Sequence, residues 1–278
     1  MSGAILVTGA TGKTGSGVVR GLRALGIPLR SAGRTGADVR FEWTDPSTYD
    51  EALRGVSGVY LVAPPLESDP SLVMIPFIEH ALRAGARRFV LLSSSAIEAD
   101  DAGLGAVDRA LRDRAPEWAI VKPSWFMQNF VGRWHPHGTS LLDDGVVVTS
   151  TGDGRVGFVD VEDIAAVAVR ALADDRSHDT AHVVTGPDAL SYADVAAVLS
   201  RATGQSFRHV QVDDAEAKRR LVRAQLPPTV ADLLVGLDAR IREGAEDRVT
   251  DTVLRVTGRP PRSFEAFAQA NASSFARG

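Results

Sequence analysis

The chain of 278 residues contains no cysteine, which removes disulfides, thiolate metal sites and thiol nucleophiles at once. Lysine is nearly as scarce, with only Lys13, Lys122 and Lys218, so positive charge rests on arginine. The formal net charge is −4, and the densest basic run, Lys218-Arg219-Arg220, sits in a stretch of mixed charge; that balance argues against a nucleic-acid partner. No apolar run approaches the ~20 residues that a spanning helix needs. The first residues read as a strand rather than a charged leader, so the expectation is a cytoplasmic protein without a membrane partner. Tyrosine occurs only at 49, 60 and 192, and in no case does a lysine follow four residues later. What is present is ordinary for a globular chain: 44% hydrophobic and 24% charged residues, long enough for one large α/β domain with a smaller lobe.

The most informative stretch lies at the start. An apolar run, Ala4-Ile5-Leu6-Val7-Thr8, meets Gly9, Gly12 and Gly15, and a helical pattern follows over 16–25. A diphosphate needs backbone N–H groups that can approach without Cβ interference, and a helix N-terminus that favours negative charge. Glycines at a strand-to-helix turn supply both, so residues 4–15 read as a dinucleotide cradle. A second strand, 28–34, ends in Gly33-Arg34-Thr35. An acid at that strand end would favour NAD, whereas an arginine pairs with the phosphate of NADP, so NADP(H) is the expected cofactor.

The pattern then alternates. Strands are expected at 39–43, 58–63, 88–92 and 118–123, with helices between them from Asp45 to about 54, over 72–84 and over 104–114. This order predicts a doubly wound parallel Rossmann sheet, with ligands at the carboxyl ends of its strands. Gly9, Arg34, Ala63-Pro64-Pro65 and Ser93-Ser94-Ser95 all fall on that edge. Residues 1–125 are expected to be mainly the dinucleotide core of a single unit spanning 1–278. Residues 126–278 should add late strands (145–149, 157–159, 181–185, 208–212) and a smaller, mainly helical substrate lobe. Its helices are expected over 161–172 behind Asp160 and Asp163, from Ser191 to 202, over 213–243 with a break at Pro227-Pro228, and from Ser263 to 275. The run Ser124-Trp125-Phe126-Met127-Gln128-Asn129-Phe130 mixes aromatic and amide groups as a substrate pocket would. The irregular Trp134-His135-Pro136-His137 has two histidines but no third ligand nearby, so no metal is expected.

Together, the glycine array with Arg34, the Ala63-Pro64-Pro65 strand end, Lys122-Pro123-Ser124-Trp125-Phe126-Met127-Gln128-Asn129-Phe130 and the segment Gly152-Asp153-Gly154-Arg155-Val156-Gly157-Phe158-Val159-Asp160-Val161-Glu162-Asp163-Ile164-Ala165 resemble the NmrA-like branch of the atypical short-chain dehydrogenase/reductases. Gly12-Lys13-Thr14-Gly15 and the histidine-bearing loop look most like the festuclavine dehydrogenase group of ergot alkaloid biosynthesis, whose members reduce an iminium. The resemblance implies NADP(H) binding by Thr8, Gly9, Thr11, Gly12, Lys13, Thr14 and Arg34 around the adenosine and diphosphate. It places Ala63, Pro64, Pro65, Ser93 and the 122–126 segment by the nicotinamide, with Lys122 where an arginine is usual, and it aligns Ser95 with the serine of the superfamily. The Tyr-x-x-x-Lys pair of alcohol dehydrogenases, in which lysine lowers the phenol pKa, is absent. The expectation is therefore a reductase in secondary metabolism that transfers hydride to an activated acceptor such as an iminium, imine, quinone or enone. Ser95 would orient the acceptor or a water, and His135 or His137 would give a proton near neutral pH. Trp125, Phe126, Gln128, Asn129 and Phe130 would shape the site for a small-molecule substrate. The alternative from another class is a non-catalytic NADP(H)-binding redox sensor, followed by an isomerase or cyclase. A monomer and a homodimer are both open.

Overall fold

A computed structural model of the chain describes residues 3–65, 67 and 69–276. The elements begin β1 (Ala4–Thr8), α1 (Lys13–Ala24), β2 (Leu29–Gly33), β3 (Val39–Arg40), α2 (Tyr49–Leu53), β4 (Val56–Leu61), α3 (Ser71–Arg83), β5 (Arg88–Leu92), α4 (Leu104–Arg114) and β6 (Glu117–Pro123). They continue with α5 (Pro136–Asp144), β7 (Val146–Thr149), β8 (Arg155–Val156), α6 (Val161–Ala173), β9 (Thr180–Val184), β10 (Leu190–Ser191) and α7 (Tyr192–Thr203). The last are β11 (Arg208–Gln211), α8 (Asp214–Arg223), α9 (Pro228–Arg242), α10 (Thr252–Thr257) and α11 (Phe264–Ala270). They divide into two units.

The first unit takes Met1–Pro123, Val161–Val184 and Thr252–Arg259. Its seven strands form one parallel sheet in the order β3-β2-β1-β4-β5-β6-β9. Ile5-Leu6-Val7, Val59-Tyr60-Leu61 and Phe89-Val90-Leu91 are fully buried, as the unbroken apolar runs of a sheet covered on both faces require. Each such aliphatic side chain contributes about 1.5–3 kcal/mol. Helix α1 packs against α6 so closely that a Cβ on Gly17 would stand 2.7 Å from Ala165 Cβ, and one on Gly21 2.7 Å from Val169 Cγ2. Buried Arg88 ties the sheet to the end of α6, donating to Glu117 Oε2 at 2.6 Å and to the Leu172 carbonyl at 3.1 Å.

The expected strand at 39–43 stops at Arg40. Phe41 and Trp43 instead turn into an aromatic cluster with Tyr49 and Phe77, with ring centroids 4.9–5.7 Å apart, and the Tyr49 hydroxyl donates to the Trp43 carbonyl at 2.6 Å. Core packing here overrides a β-rich sequence.

The second unit takes Ser124–Asp160, Thr185–Asp251 and Pro260–Gly278. Its core gathers Met127, Phe130, Phe158, Tyr192, Leu199 and Phe264. Two short sheets serve it, an antiparallel β10-β8 pair and a parallel β11-β7 pair. The strand expected at 157–159 does not form; the Phe158 N–H turns back onto the Val156 carbonyl at 3.0 Å, and only Val159 bridges, to Phe126. The irregular stretch around the histidines is in fact α5, started by Pro136 and capped by His135, whose Nδ1 accepts from the His137 N–H at 3.2 Å. Pro227-Pro228 breaks α8 from α9 as the prolines require.

Candidate functional site

In the first unit the chain turns from β1 into α1 where the sheet order reverses, between β1 and β4. Gly9 has φ +60°, and a Cβ on Gly15 would lie 2.1 Å from the Gly9 carbonyl oxygen, so only glycine allows the turn to fold back this tightly. The helix starts at Lys13, three residues before the sequence pattern shows it. Its N-cap, Gly12, offers no side-chain cap, and no acid occupies the first turn. The first turn of α1 thus carries neither a side-chain cap nor an acid to compete with an anion. Gly9, Thr11, Gly12 and Lys13 are exposed, whereas Thr14 is buried. The Thr8 hydroxyl is used within the fold, donating to the Tyr60 carbonyl and accepting from the Val62 N–H, each at 2.9 Å, so Thr8 fixes the cradle against β4.

Arg34 follows β2, is exposed, and makes no hydrogen bond or ion pair among the described residues. No acid follows Gly33 directly, but Asp38 folds back onto β2, accepting from both the N–H (2.9 Å) and the hydroxyl (2.8 Å) of Ser31. Those hydrogen bonds hold its carboxyl below the usual range. At the ends of β4 and β5, Ala63 and Pro64 are half-buried and Pro65 is exposed. Ser93 is buried and its Oγ has no hydrogen-bond partner among the described residues, a polar atom that a bound ribose or amide would satisfy. The Lys122 ammonium is buried and donates to Glu98 Oε2 at 3.0 Å. Ser95 is 1% exposed, and its N–H donates to the Pro123 carbonyl at 2.9 Å.

The second unit contains a cavity of about 580 Å³, in the size range of small-molecule sites. Trp125, Trp134, His137, Tyr192, Leu237 and Asp238 are among its lining. Of the five expected substrate residues, Trp125 alone lines it. Phe130 is fully buried behind it, stacked on His137 with centroids 5.5 Å apart; Gln128 donates through Nε2 to Asp160 Oδ1 at 2.8 Å. Phe126 is half-buried in the bridge to Val159, and Asn129 is half-buried with its N–H on the Phe126 carbonyl.

His137 meets Tyr192 edge-on at 5.3 Å and His135 at 4.5 Å. Burial, with His135 and His209 beside it, holds the His137 imidazole well below its ordinary pKa. The expectation of a proton donor titrating near neutral pH is corrected accordingly: His137 is a neutral imidazole there, able to hydrogen-bond but not storing a proton. Asp238 of α9 accepts from the Ser150 N–H at 2.9 Å and the Ser150 hydroxyl at 3.3 Å. Burial pushes its carboxyl up to about 6. Tyr192, with Asp238 nearby, has its phenol pushed well above the usual range, mainly by burial. Sequence reading missed Asp238 and Tyr192. Leu234, Asp238 and Ile241 recur at helical spacing on the inward side of α9, so an acid on an apolar stripe was the available signal.

The fold and the cradle define an α/β protein of the dinucleotide-binding class. The NmrA-like family profile matches residues 1–238, and the chain belongs to that family. It is 42% identical over 275 residues to the uncharacterized oxidoreductase YesF of Bacillus subtilis (strain 168), covering 97% of this chain and 95% of that protein. It is 32% identical to the agroclavine dehydrogenase of Claviceps fusiformis, over 96% of each chain. The crystal structure of an NADPH-dependent quinone oxidoreductase from Escherichia coli complexed with NADPH superposes with a TM-score of 0.82 at 21% identity, covering 96% of this chain and 99% of that one. Among the described residues, no helix is long and apolar enough to cross a membrane, and no group of three histidines or acids is arranged to hold a metal.

Proposed function

We propose that this protein is an NADP(H)-dependent reductase that delivers hydride to an acceptor already electrophilic: an iminium or imine, a quinone or an enone. The observation that carries the reading is the α1 N-terminus, glycine-built and without a capping side chain or a first-turn acid. Relatives named as an oxidoreductase and a dehydrogenase, aligned over nearly the whole chain, support catalysis. When bound, NADPH supplies the hydride. The turn from Gly9 through Thr14 receives the diphosphate, and Arg34 pairs with the 2′-phosphate of the adenosine ribose. Ala63, Pro64, Pro65 and the Ser93 hydroxyl border the nicotinamide half, with Lys122 held ready by Glu98.

Without a Tyr-x-x-x-Lys pair the chain has no lowered phenol to protonate an alkoxide, which is why the acceptor must be reactive beforehand. The protein then works by orientation, which supplies several kcal/mol when reacting atoms are held in line. Ser95 orients the acceptor or a water. A place in secondary metabolism fits such acceptors. Purified protein is tested by NADPH oxidation against iminium, quinone and enone acceptors. NADPH binding without turnover on any of them would favour the redox-sensor reading; failure to bind NADPH would remove the cradle.

A further inference from the structure

The lining of the cavity in the second unit carries an unusual charge pattern. Asp238 has only the neutral donors of Ser150 as hydrogen-bond partners and no ion pair among the described residues. The neighbouring cation of its own helix, Arg242, is engaged by both oxygens of Asp214 at 2.9 and 3.1 Å. Of the other charged groups at the lining, Arg133 pairs with Asp143 at 2.7 Å and Arg220 with Glu216 at 2.8 Å, while Arg223 and Asp144 are exposed to solvent. Facing Asp238 from α7 is the un-ionised Tyr192, and the imidazoles of His137 and His209 are held neutral by burial. Away from solvent the wall therefore presents Asp238, a carboxylate without an ion pair among the described residues, beside the rings of Trp125, His135, His137 and Tyr192.

Aromatic faces and a carboxylate attract the same kind of ligand. Ring quadrupoles draw a cation to their faces, and a carboxylate kept out of water gains most from a charge that comes to it. We propose that Asp238 sets the charge preference of this cavity, and that the ligand it selects is a planar aromatic cation bearing an iminium, pyridinium or protonated-amine nitrogen. That this ligand is the hydride acceptor rests on the reductase reading; the charge preference itself does not. Because burial raises the Asp238 carboxyl to about 6, against the opposing pull of Ser150 and Arg242, the preference is switched off in mild acid.

The test is a calorimetric titration of the full chain with three probes of one shape: N-methylquinolinium, its neutral counterpart 1-methylnaphthalene, and the anion 1-naphthoate. At about pH 8 the wild type is expected to bind the cation at least about ten-fold more tightly than the neutral probe. At about pH 5, with roughly a tenth of Asp238 ionised, that ratio should fall about five-fold, to about two. Asp238→Asn should remove the ratio at pH 8. A ratio that persists in Asp238→Asn, one that does not change between the two pH values in the wild type, or a preference for 1-naphthoate would each overturn the proposal; the wild-type comparison does not depend on the variant folding. NADPH oxidation is measured in parallel. A charge preference that follows Asp238 without any turnover would sink the reductase reading alone, and turnover with no charge preference would sink this one alone.

Discussion

At Arg34 the guanidinium stands exposed at the end of β2 with no partner among the described residues, and at Gly15 a single added carbon would strike the Gly9 carbonyl. Both make predictions of opposite kind. Arg34→Ala should weaken NADPH binding by about 10–100-fold, the worth of a charge-assisted hydrogen bond, while leaving NADH nearly unchanged; titration of both nucleotides checks it. Gly15→Ala should lose both nucleotides together, because it deforms the turn rather than one contact. The turn from β1 into α1 was legible in the sequence because backbone chemistry at a strand-to-helix turn is local. Asp238, Tyr192 and Glu98 were not, since each acquires its role only when distant segments meet: Asp238 from Ser150, Glu98 from Lys122. His137 was visible as a histidine but not as a buried one, and burial decides its protonation.

Among the elements, the strands that run apolar without a break and the helices with clear caps were legible. Ser191 caps α7 and Ser263 caps α11, as expected of both, and Ser191 adds a reciprocal box with Asp194. Helix α5 was hidden because its N-cap is a histidine and its first residue a proline, a combination that reads as a loop. The close pairing of α1 and α6 predicts that Gly17→Val destabilises the protein by about 1–3 kcal/mol, since the new side chain must push Ala165 away; urea unfolding measures it. Strand β9 carries a pH signal. His182 is buried and pairs through Nε2 with His178 Nδ1 at 2.8 Å, and burial, His178 and Arg255 hold it down to about 4. In the unfolded chain it titrates near ~6.5. Between those values the unfolded state binds the extra proton, so this contribution is complete above about pH 6.5 and is lost as pH falls toward 4, on the order of 3 kcal/mol in all. His182→Gln should flatten the fall in unfolding free energy over that window.

For the molecule as a whole, the parallel sheet reverses its order between β1 and β4, where the glycine turn lies, and the second unit supplies a cavity with its own chemistry. The doubly wound sheet followed from the βα alternation. That residues 126–278 would add late strands was expected too, but not that β9 is the one that joins the seven-stranded sheet, because nothing local in those residues states which sheet they join. Hydride delivery to a reactive acceptor is read in a single-turnover reaction of the wild-type protein with NADPH deuterated at C4 and an iminium or enone acceptor, in which the transferred deuterium ends on carbon and is not exchanged with water. Acceptor-dependent oxidation of NADPH, with deuterium recovered in the reduced product, is the expected result. Tight NADPH binding with no oxidation across all the acceptors would contradict it.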